Sequence, residues 1–135
     1  MEYLIGIVLA LAVCVFAMLT GLDRGRVFYS TVVLVVAHYY ILFAAMGANA
    51  RVLIAECFAA AAFFIFAIVG FKKSLWVTAA ALAGHGVFDL FHNLLVHNRG
   101  VPFWWPGFCM SFDVLAGAFL AILLIRRQPH SQLAP

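Results

Sequence analysis

The sequence predicts an all-α protein, an integral membrane bundle of five transmembrane helices. Hydrophobic residues occupy 67% of its 135 positions, and only 10% are Asp, Glu, Lys or Arg. A small soluble domain keeps much of its surface in water and carries about 25% charged residues, so it cannot accommodate this composition. The basic residues are scattered and form no patch. An ordinary soluble domain, a disordered chain and a nucleic-acid-binding protein are therefore excluded, and membrane lipids are the expected partners.

Five apolar runs come close to the roughly 20 residues that a helix needs to cross the hydrocarbon core. They are Tyr3–Thr20, Val27–Met46, Val52–Phe71, Leu75–Val96 and Phe108–Ile125. Backbone groups in lipid must bond to one another, and the runs lack the alternation of barrel strands, which leaves helices. Because the first run has no basic residues before it, we interpret it as a retained span and not as a signal peptide. We expect a single domain over residues 1–126 and a short cytoplasmic tail over 127–135.

Lys and Arg fall mainly on one side of the predicted bundle. With five spans, one side carries Arg51 and Arg99. The other side carries Arg24, Arg26, Lys72, Lys73, Arg126 and Arg127. Because basic residues concentrate in cytoplasmic loops, we expect the C-terminus in the cytoplasm and the N-terminus outside.

Six ionisable side chains fall inside the predicted spans. They are His38, Glu56, His85, Asp89, His92 and Asp113. A charged side chain at the bilayer centre costs about 2.5–3.5 kcal/mol on insertion scales, and such residues usually face the bundle interior and mark functional sites. We therefore expect these side chains to face one another, a bound ion or water.

The fourth span carries three of these residues in one narrow stripe. At 100° per residue, Asp89 lies about 40° to one side of His85 and His92 about 20° to the other. Spacings of three and four residues allow neighbouring side chains to reach one ion. Glu56 and Asp113 each lie about five residues inside the outer membrane surface, which predicts a depth of roughly 6–8 Å, level with His92.

Neutral His with ionised Asp or Glu is a ligand set for zinc, iron or manganese, and a cation compensates buried negative charge. All six residues are thus candidate ligands, zinc is the favoured metal, and Cys109 is a further conceivable ligand. Asp113, Asp89 and Glu56 are the candidates for a general base. Two simpler interpretations stay open: His38 as a packing residue, and Glu56 paired with Arg51 near the membrane surface.

The segment from His85 to Asp113 reads H-x3-D-x2-H, then G-V-P, W-P and C-x3-D. This pattern resembles a group of small bacterial polytopic membrane proteins of unknown function. The resemblance covers the last third of the chain and implies a shared site in a bacterial inner membrane, without naming a reaction. More loosely, the set of buried ligands is similar in kind to intramembrane zinc hydrolases such as the alkaline ceramidases. Those proteins have seven spans and a His-x3-His pair, which this chain lacks.

The sequence favours an intramembrane metalloenzyme. A zinc ion with an open position would lower the pKa of bound water toward about 7. Hydrolysis of a lipid or amphipathic substrate from the outer half of the bilayer is the favoured reaction, and iron would allow oxidation. One alternative is a proton- or cation-coupled transporter or sensor that uses the buried cluster. A further alternative is a b-type haem protein with His38 and His85 as axial ligands. A homo-oligomer would fit so small a chain.

Overall fold

A computed structural model of the protein describes residues 1–127, which form five α-helices. The helices are α1 Glu2–Thr20, α2 Val27–Gly47, α3 Ala50–Lys72, α4 Leu75–Leu95 and α5 Trp105–Arg127. A short 3-10 turn, Leu22–Arg24, lies between the first two, and the described part of the chain contains no strand. The predicted all-α fold is confirmed. Apart from Arg127, the predicted tail lies outside the described residues.

Four of the helices, α1, α2, α3 and α5, are long and apolar enough to cross a membrane, which indicates a membrane protein. Many large apolar side chains face outward, among them Phe58 and Leu94. The remaining helix, α4, has 21 residues but is not apolar enough to be counted with the other four. Its length is sufficient, and its hydropathy is reduced by the polar side chains that it directs into the bundle.

Local signals in the sequence account for where the helices begin and end. Gly21 ends α1 in the left-handed conformation, at φ 77°, which a residue without a side chain adopts at little cost. The side chains of Asn49 and Ser74 accept hydrogen bonds from the first-turn amides of α3 and α4, at 3.1 Å and 3.3 Å. Pro106 lies in the first turn of α5, where its missing N–H leaves no helical bond unmade.

The helices run up and down, and the bundle has two ends that differ in charge. The Asn98 end contains the N-terminus, the α2–α3 connection and the loop of residues 96–104 that holds Asn98. The Asp23 end contains the α1–α2 and α3–α4 connections and the end of α5. There Arg127 donates to the backbone oxygen of Asp23 at 2.8 Å and also pairs with its carboxylate. This pair fastens α5 to the α1–α2 connection.

The most extensive helix packing is that of α4 on α5, and two glycines allow a close approach there. A Cβ atom at Gly86 would lie 2.9 Å from the backbone oxygen of Met110, and one at Gly117 would lie 2.9 Å from that of Ala79. Small residues at such positions let two membrane helices approach closely. The predicted role of small residues in packing is confirmed at this contact.

The structure corrects the predicted register between α4 and α5. Helix α5 begins at Trp105, three residues before the predicted start at Phe108. Asp113 is therefore about 12 Å from the start of its helix at 1.5 Å per residue, between the depths of Asp89 and His85 on α4. The expected match between Asp113 and His92 is wrong, because the aromatic segment before Phe108 belongs partly to the helix.

Candidate metal centre

Four buried side chains of α4 and α5 meet near the middle of the bundle. They are His85, Asp89, Cys109 and Asp113, here called the quartet. One ligand atom from each residue lies within 4.8 Å of every other. None of the four residues is more than 2% exposed. The quartet therefore presents a nitrogen, a sulfur and two carboxylate oxygens to a common point shielded from the surroundings.

Helix geometry explains why these four residues meet. Asp89 follows His85 by four residues on α4, and Cys109 precedes Asp113 by four residues on α5. Residues four apart lie on one face of a helix, one turn above the other. Gly86 lets the two faces approach, so the two i, i+4 pairs oppose each other across the α4–α5 contact.

The contacts inside the quartet centre on one carboxylate oxygen. His85 Nδ1 lies 2.7 Å from Asp113 Oδ2 and 3.6 Å from Asp89 Oδ2. The Cys109 thiol donates to the same Asp113 oxygen at 3.4 Å. Among residues 1–127, Asp113 Oδ1 and Asp89 Oδ2 have no hydrogen-bond partner. Buried carboxylate oxygens without a partner are costly, so the quartet has unused capacity for a proton or a cation.

Tyr40 of α2 supports the quartet from a third helix. Its hydroxyl donates to Asp89 Oδ1 at 2.6 Å, and its ring stacks on His92, with centroids 3.9 Å apart and planes at 19°. Sequence reasoning missed this residue, because it is one of four tyrosines and its neighbours in the sequence do not distinguish it. The tendency of a buried tyrosine hydroxyl to find a partner is the signal that could have indicated it.

A second polar cluster, the Asn98 group, consists of Glu56, His92 and Asn98. His92 Nε2 lies 2.8 Å from Glu56 Oε1, and the Asn98 amide donates to the same oxygen at 2.8 Å. Asn98 also donates to the backbone oxygen of Tyr40 at 3.2 Å and accepts from the Gly100 amide at 3.0 Å. The group thus ties the loop of residues 96–104 to α2, α3 and α4. Asn98 was not anticipated from the sequence.

Aromatic rings lie between the two histidines of α4. The Phe88 ring centroid is 6.1 Å from that of His85 and 5.5 Å from that of His92. The Tyr40 ring is likewise 6.1 Å from His85 and in stacking contact with His92. Since His92 has no place among the ligand atoms of the quartet, the stripe on α4 serves two clusters with Tyr40 as their link.

The structure brings five of the six predicted site residues into these two clusters. His85, Asp89 and Asp113 lie in the quartet together with Cys109, whereas Glu56 and His92 lie in the Asn98 group. The pairing of Glu56 with Arg51 is not observed: Glu56 is 1% exposed and bonded to His92, whereas Arg51 is exposed.

The sixth predicted residue, His38, joins neither cluster. It is exposed on α2 and stacks on Phe64, with ring centroids 6.3 Å apart. Two residues turn a helix by about 200°, so the side chain of His38 faces away from the interior that Tyr40 occupies. The packing interpretation describes this position better than the ligand interpretation does.

Comparison of the chain with known protein families, curated proteins and solved structures finds no match. The resemblance to small bacterial membrane proteins therefore stays a prediction. The function must be argued from the chemistry of the two clusters.

Proposed function

We propose that the protein is an intramembrane metalloprotein, a metal-dependent enzyme whose metal is held by the quartet. Zinc is the favoured ion, and iron and manganese are the alternatives. The observation that carries the proposal is the meeting of four buried ligand atoms, with two carboxylate oxygens left without a partner in the described part of the chain. Imidazole, thiolate and carboxylate are all zinc ligands, whereas the carboxylates also suit iron and manganese.

The quartet offers the parts that hydrolysis of an ester or amide requires. His85, Asp89 and Asp113 would hold the ion, and the side of Cys109 would be the position for water or substrate. Catalytic zinc sites use three protein ligands and keep the fourth position open, whereas four protein ligands are typical of structural sites. A carboxylate oxygen of Asp89 or Asp113 that does not bind the ion can accept the proton of the attacking water. Glu56, bonded in the Asn98 group, is the more distant candidate.

We further propose a bacterial inner membrane as the location, with the N-terminus outside and α4 as a fifth span. The Asp23 end carries six basic side chains against two at the Asn98 end, which supports a cytoplasmic Asp23 end. The polar stripe of α4 faces the interior, and the outward surface of this helix is mainly apolar, with Val87, Leu90 and Leu94 exposed. A reactive cysteine placed in each connection, labelled in intact cells, tests this topology.

Metal analysis of the purified full chain tests the proposal. We expect bound zinc or iron in the wild-type protein, loss of the metal in His85→Ala and Asp113→Asn, and unchanged metal in His38→Ala and His97→Ala. Cobalt substitution adds a spectroscopic test, because a cysteine thiolate bound to cobalt gives an intense near-ultraviolet band. If cobalt binds and this band is absent, Cys109 is not a ligand and the site has the open arrangement of a catalytic centre. A wild-type protein without metal after expression in metal-supplemented medium would contradict the proposal.

Proton or cation transfer is a second candidate because Tyr40 links the two clusters into a polar series from Asn98 to Asp113. Toward the Asp23 end, fully buried Leu82 and Leu120 interrupt this series. Proton flux in vesicles that contain the metal-free protein would favour this candidate. The haem alternative receives no support, since His38 faces outward and His85 is engaged with Asp113.

A further inference from the structure

The outward face of α2 carries a histidine near the middle of the membrane. His38 is exposed and lies about 17 Å along the helix from Val27 and about 14 Å from Gly47. Its ring stacks on Phe64, a contact that uses the ring face and leaves the two nitrogens at the ring edge. The side chain is too short to reach the membrane surface from this depth. Lipid alone would therefore leave its polar atoms without a partner, which is costly.

His38 belongs to a row of exposed residues with the spacing of a helix–helix contact. The row, here called the α2 ridge, consists of Thr31, Val35, His38, Leu42 and Ala45, and all five residues are exposed. Their spacing alternates between four and three positions, which is the a and d pattern of helices that supercoil around each other. From Thr31 to Ala45 the ridge is about 21 Å long, most of the roughly 30 Å hydrocarbon core. This length and spacing fit contact with one neighbouring helix.

Space on both sides of the α2 ridge lets such a helix approach it. Val35 borders one groove beside α1 and another beside α3, and Thr31 does the same. Helix α2 therefore stands out from the bundle along this part of its length. Ala45, near the Asn98 end of the ridge, adds a small side chain of the kind that favours close approach between membrane helices.

The chemistry of His38 favours a second copy of this chain as the partner. Two copies inserted with the same topology are related by an axis along the membrane normal, so identical residues of their α2 helices meet at the same depth. A neutral imidazole has one donor and one acceptor, and two of them can join in one N–H···N hydrogen bond. Lipid tails offer neither group. Thr31 carries less weight, because its hydroxyl can bond to the backbone of its own helix.

We propose that the protein forms a parallel dimer through the α2 ridge, in which the His38 side chains of the two copies are hydrogen-bonded to each other near the middle of the membrane. Val35 and Leu42 pack on the partner helix on either side of this pair. Both polar clusters are buried inside each bundle, so the dimer contact leaves them intact. The proposal does not depend on metal binding.

Cysteine crosslinking in phosphatidylcholine vesicles tests the interface. The exposed Cys57 is first replaced by serine, and Val35→Cys, Leu42→Cys or Val87→Cys is then introduced. Val87, on α4, is the matched control, because it is 50% exposed, against 47% for Val35 and 45% for Leu42. We expect oxidation to give disulfide-linked dimers at both ridge positions and few at Val87. Equal crosslinking at all three positions, or none at the ridge, would overturn the proposal.

Energy transfer between donor-labelled and acceptor-labelled chains, over a range of protein-to-lipid ratios, tests the role of His38. Interhelical hydrogen bonds in membranes typically change association by about three- to twentyfold, so we expect His38→Leu to weaken the dimer by that factor. His38→Asn keeps a donor and an acceptor and should retain most of the association. Circular dichroism checks that both variants are folded. A wild type that is monomeric at every ratio, or an equally strong dimer in His38→Leu, would contradict the proposal.

Discussion

The quartet and the Asn98 group each combine a histidine with buried carboxylate, but only the quartet brings four ligand atoms within 4.8 Å of one another. In the Asn98 group, Glu56 Oε1 accepts two hydrogen bonds, and Asn98 uses both its amide and its carbonyl. In the quartet, two groups likewise contact a single oxygen of Asp113. Within residues 1–127 each cluster has two buried polar atoms without a partner, but in the quartet both are carboxylate oxygens, whereas in the Asn98 group they are Glu56 Oε2 and His92 Nδ1. The first cluster is a hydrogen-bonded joint, and the second is a set of converging ligand atoms.

This difference indicates a division of labour along α4. Asn98 ties a loop to three helices, which suits a group whose contribution is to stability and positioning. The quartet residues themselves lie on α4 and α5 and would be an expensive way to join these two helices, since buried ionisable groups often cost more to desolvate than their attraction returns. We therefore expect substitutions in the quartet to change ligand binding first, and substitutions in the Asn98 group to change stability first.

The sharpest test of this comparison removes one carboxylate from each cluster. We expect Asp113→Ala to abolish metal binding, because it removes a ligand, and Glu56→Ala to retain it. The loss should exceed the 10–100-fold in affinity that is typical for residues that only support metal ligands. Competition with a chelator of known affinity measures both variants. Equal loss in the two folded variants would contradict the division of labour.

The second prediction concerns His92. Its removal leaves Glu56 buried with Asn98 as its remaining side-chain partner, and breaking a buried pair in this way costs about 3–5 kcal/mol. We expect His92→Ala to lower the free energy of unfolding by that amount, measured by reversible unfolding in mixed micelles, while the folded fraction keeps its metal.

Two further variants serve as controls for His92→Ala. His97→Ala, five residues along and exposed, should leave stability unchanged. The double variant Glu56→Gln, His92→Gln should recover part of the loss, because it leaves no unpaired charge. If His92→Ala lost the metal but kept full stability, His92 would instead be a metal ligand, as the sequence predicted.

The third prediction tests the link between the clusters. Tyr40→Phe removes the hydroxyl that orients Asp89 but keeps the ring that stacks on His92. Residues that orient a metal ligand typically contribute 10–100-fold to affinity, so we expect a loss of that size with little change in stability. Tyr29→Phe is the matched control, because the hydroxyl of this buried tyrosine on the same helix has no partner in the described residues. An unchanged affinity in Tyr40→Phe would mean that Asp89 does not bind the metal.

The number of helices and nearly all their bounds could be predicted from the sequence, because lipid requires long apolar runs and forbids unpaired backbone groups. The start of α5 could not be predicted as well. Residues Trp104 to Gly107 look like an interfacial loop, and the observed helix start includes Trp105 and Pro106. Counted from the observed helix start, Asp113 lies between the levels of Asp89 and His85 and not at that of His92.

Most residues of the candidate site could be predicted from the sequence, but their separation into two clusters could not. The stripe on α4 follows from helical periodicity alone, so His85, Asp89 and His92 were expected on one face. Which partner each of them meets depends on helix rotation and on neighbouring aromatic rings. Tyr40 and Phe88 separate His92 from the quartet, and only the packed structure shows them there. The prediction that His38 joins the site failed for a related reason, since its depth in the membrane does not tell whether its side chain faces the bundle interior or the outside.

The smallest predicted effect comes from a packing change at the α4–α5 contact, which should affect the quartet and leave the Asn98 group intact. Gly86→Ala would place a Cβ atom 2.9 Å from the Met110 oxygen and 2.8 Å from Val114 Cγ2, so α4 and α5 must separate beside His85. Overpacking of this kind costs about 1–3 kcal/mol, and we expect weaker metal binding with it.

Gly84→Ala is the matched control for Gly86→Ala. It adds the same methyl group two residues earlier, where nothing lies within 4 Å, and it improves helix propensity by up to about 1 kcal/mol. In thermal unfolding, Gly86→Ala should therefore be less stable than the wild type and Gly84→Ala slightly more stable, and in metal titration only Gly86→Ala should bind more weakly. Because the Asn98 group contacts α2 and α3 and not the α4–α5 seam, the bond between Glu56 and His92 should survive in both. If Gly86→Ala loosened the loop of residues 96–104 as much as it weakened metal binding, the two clusters would be a single unit.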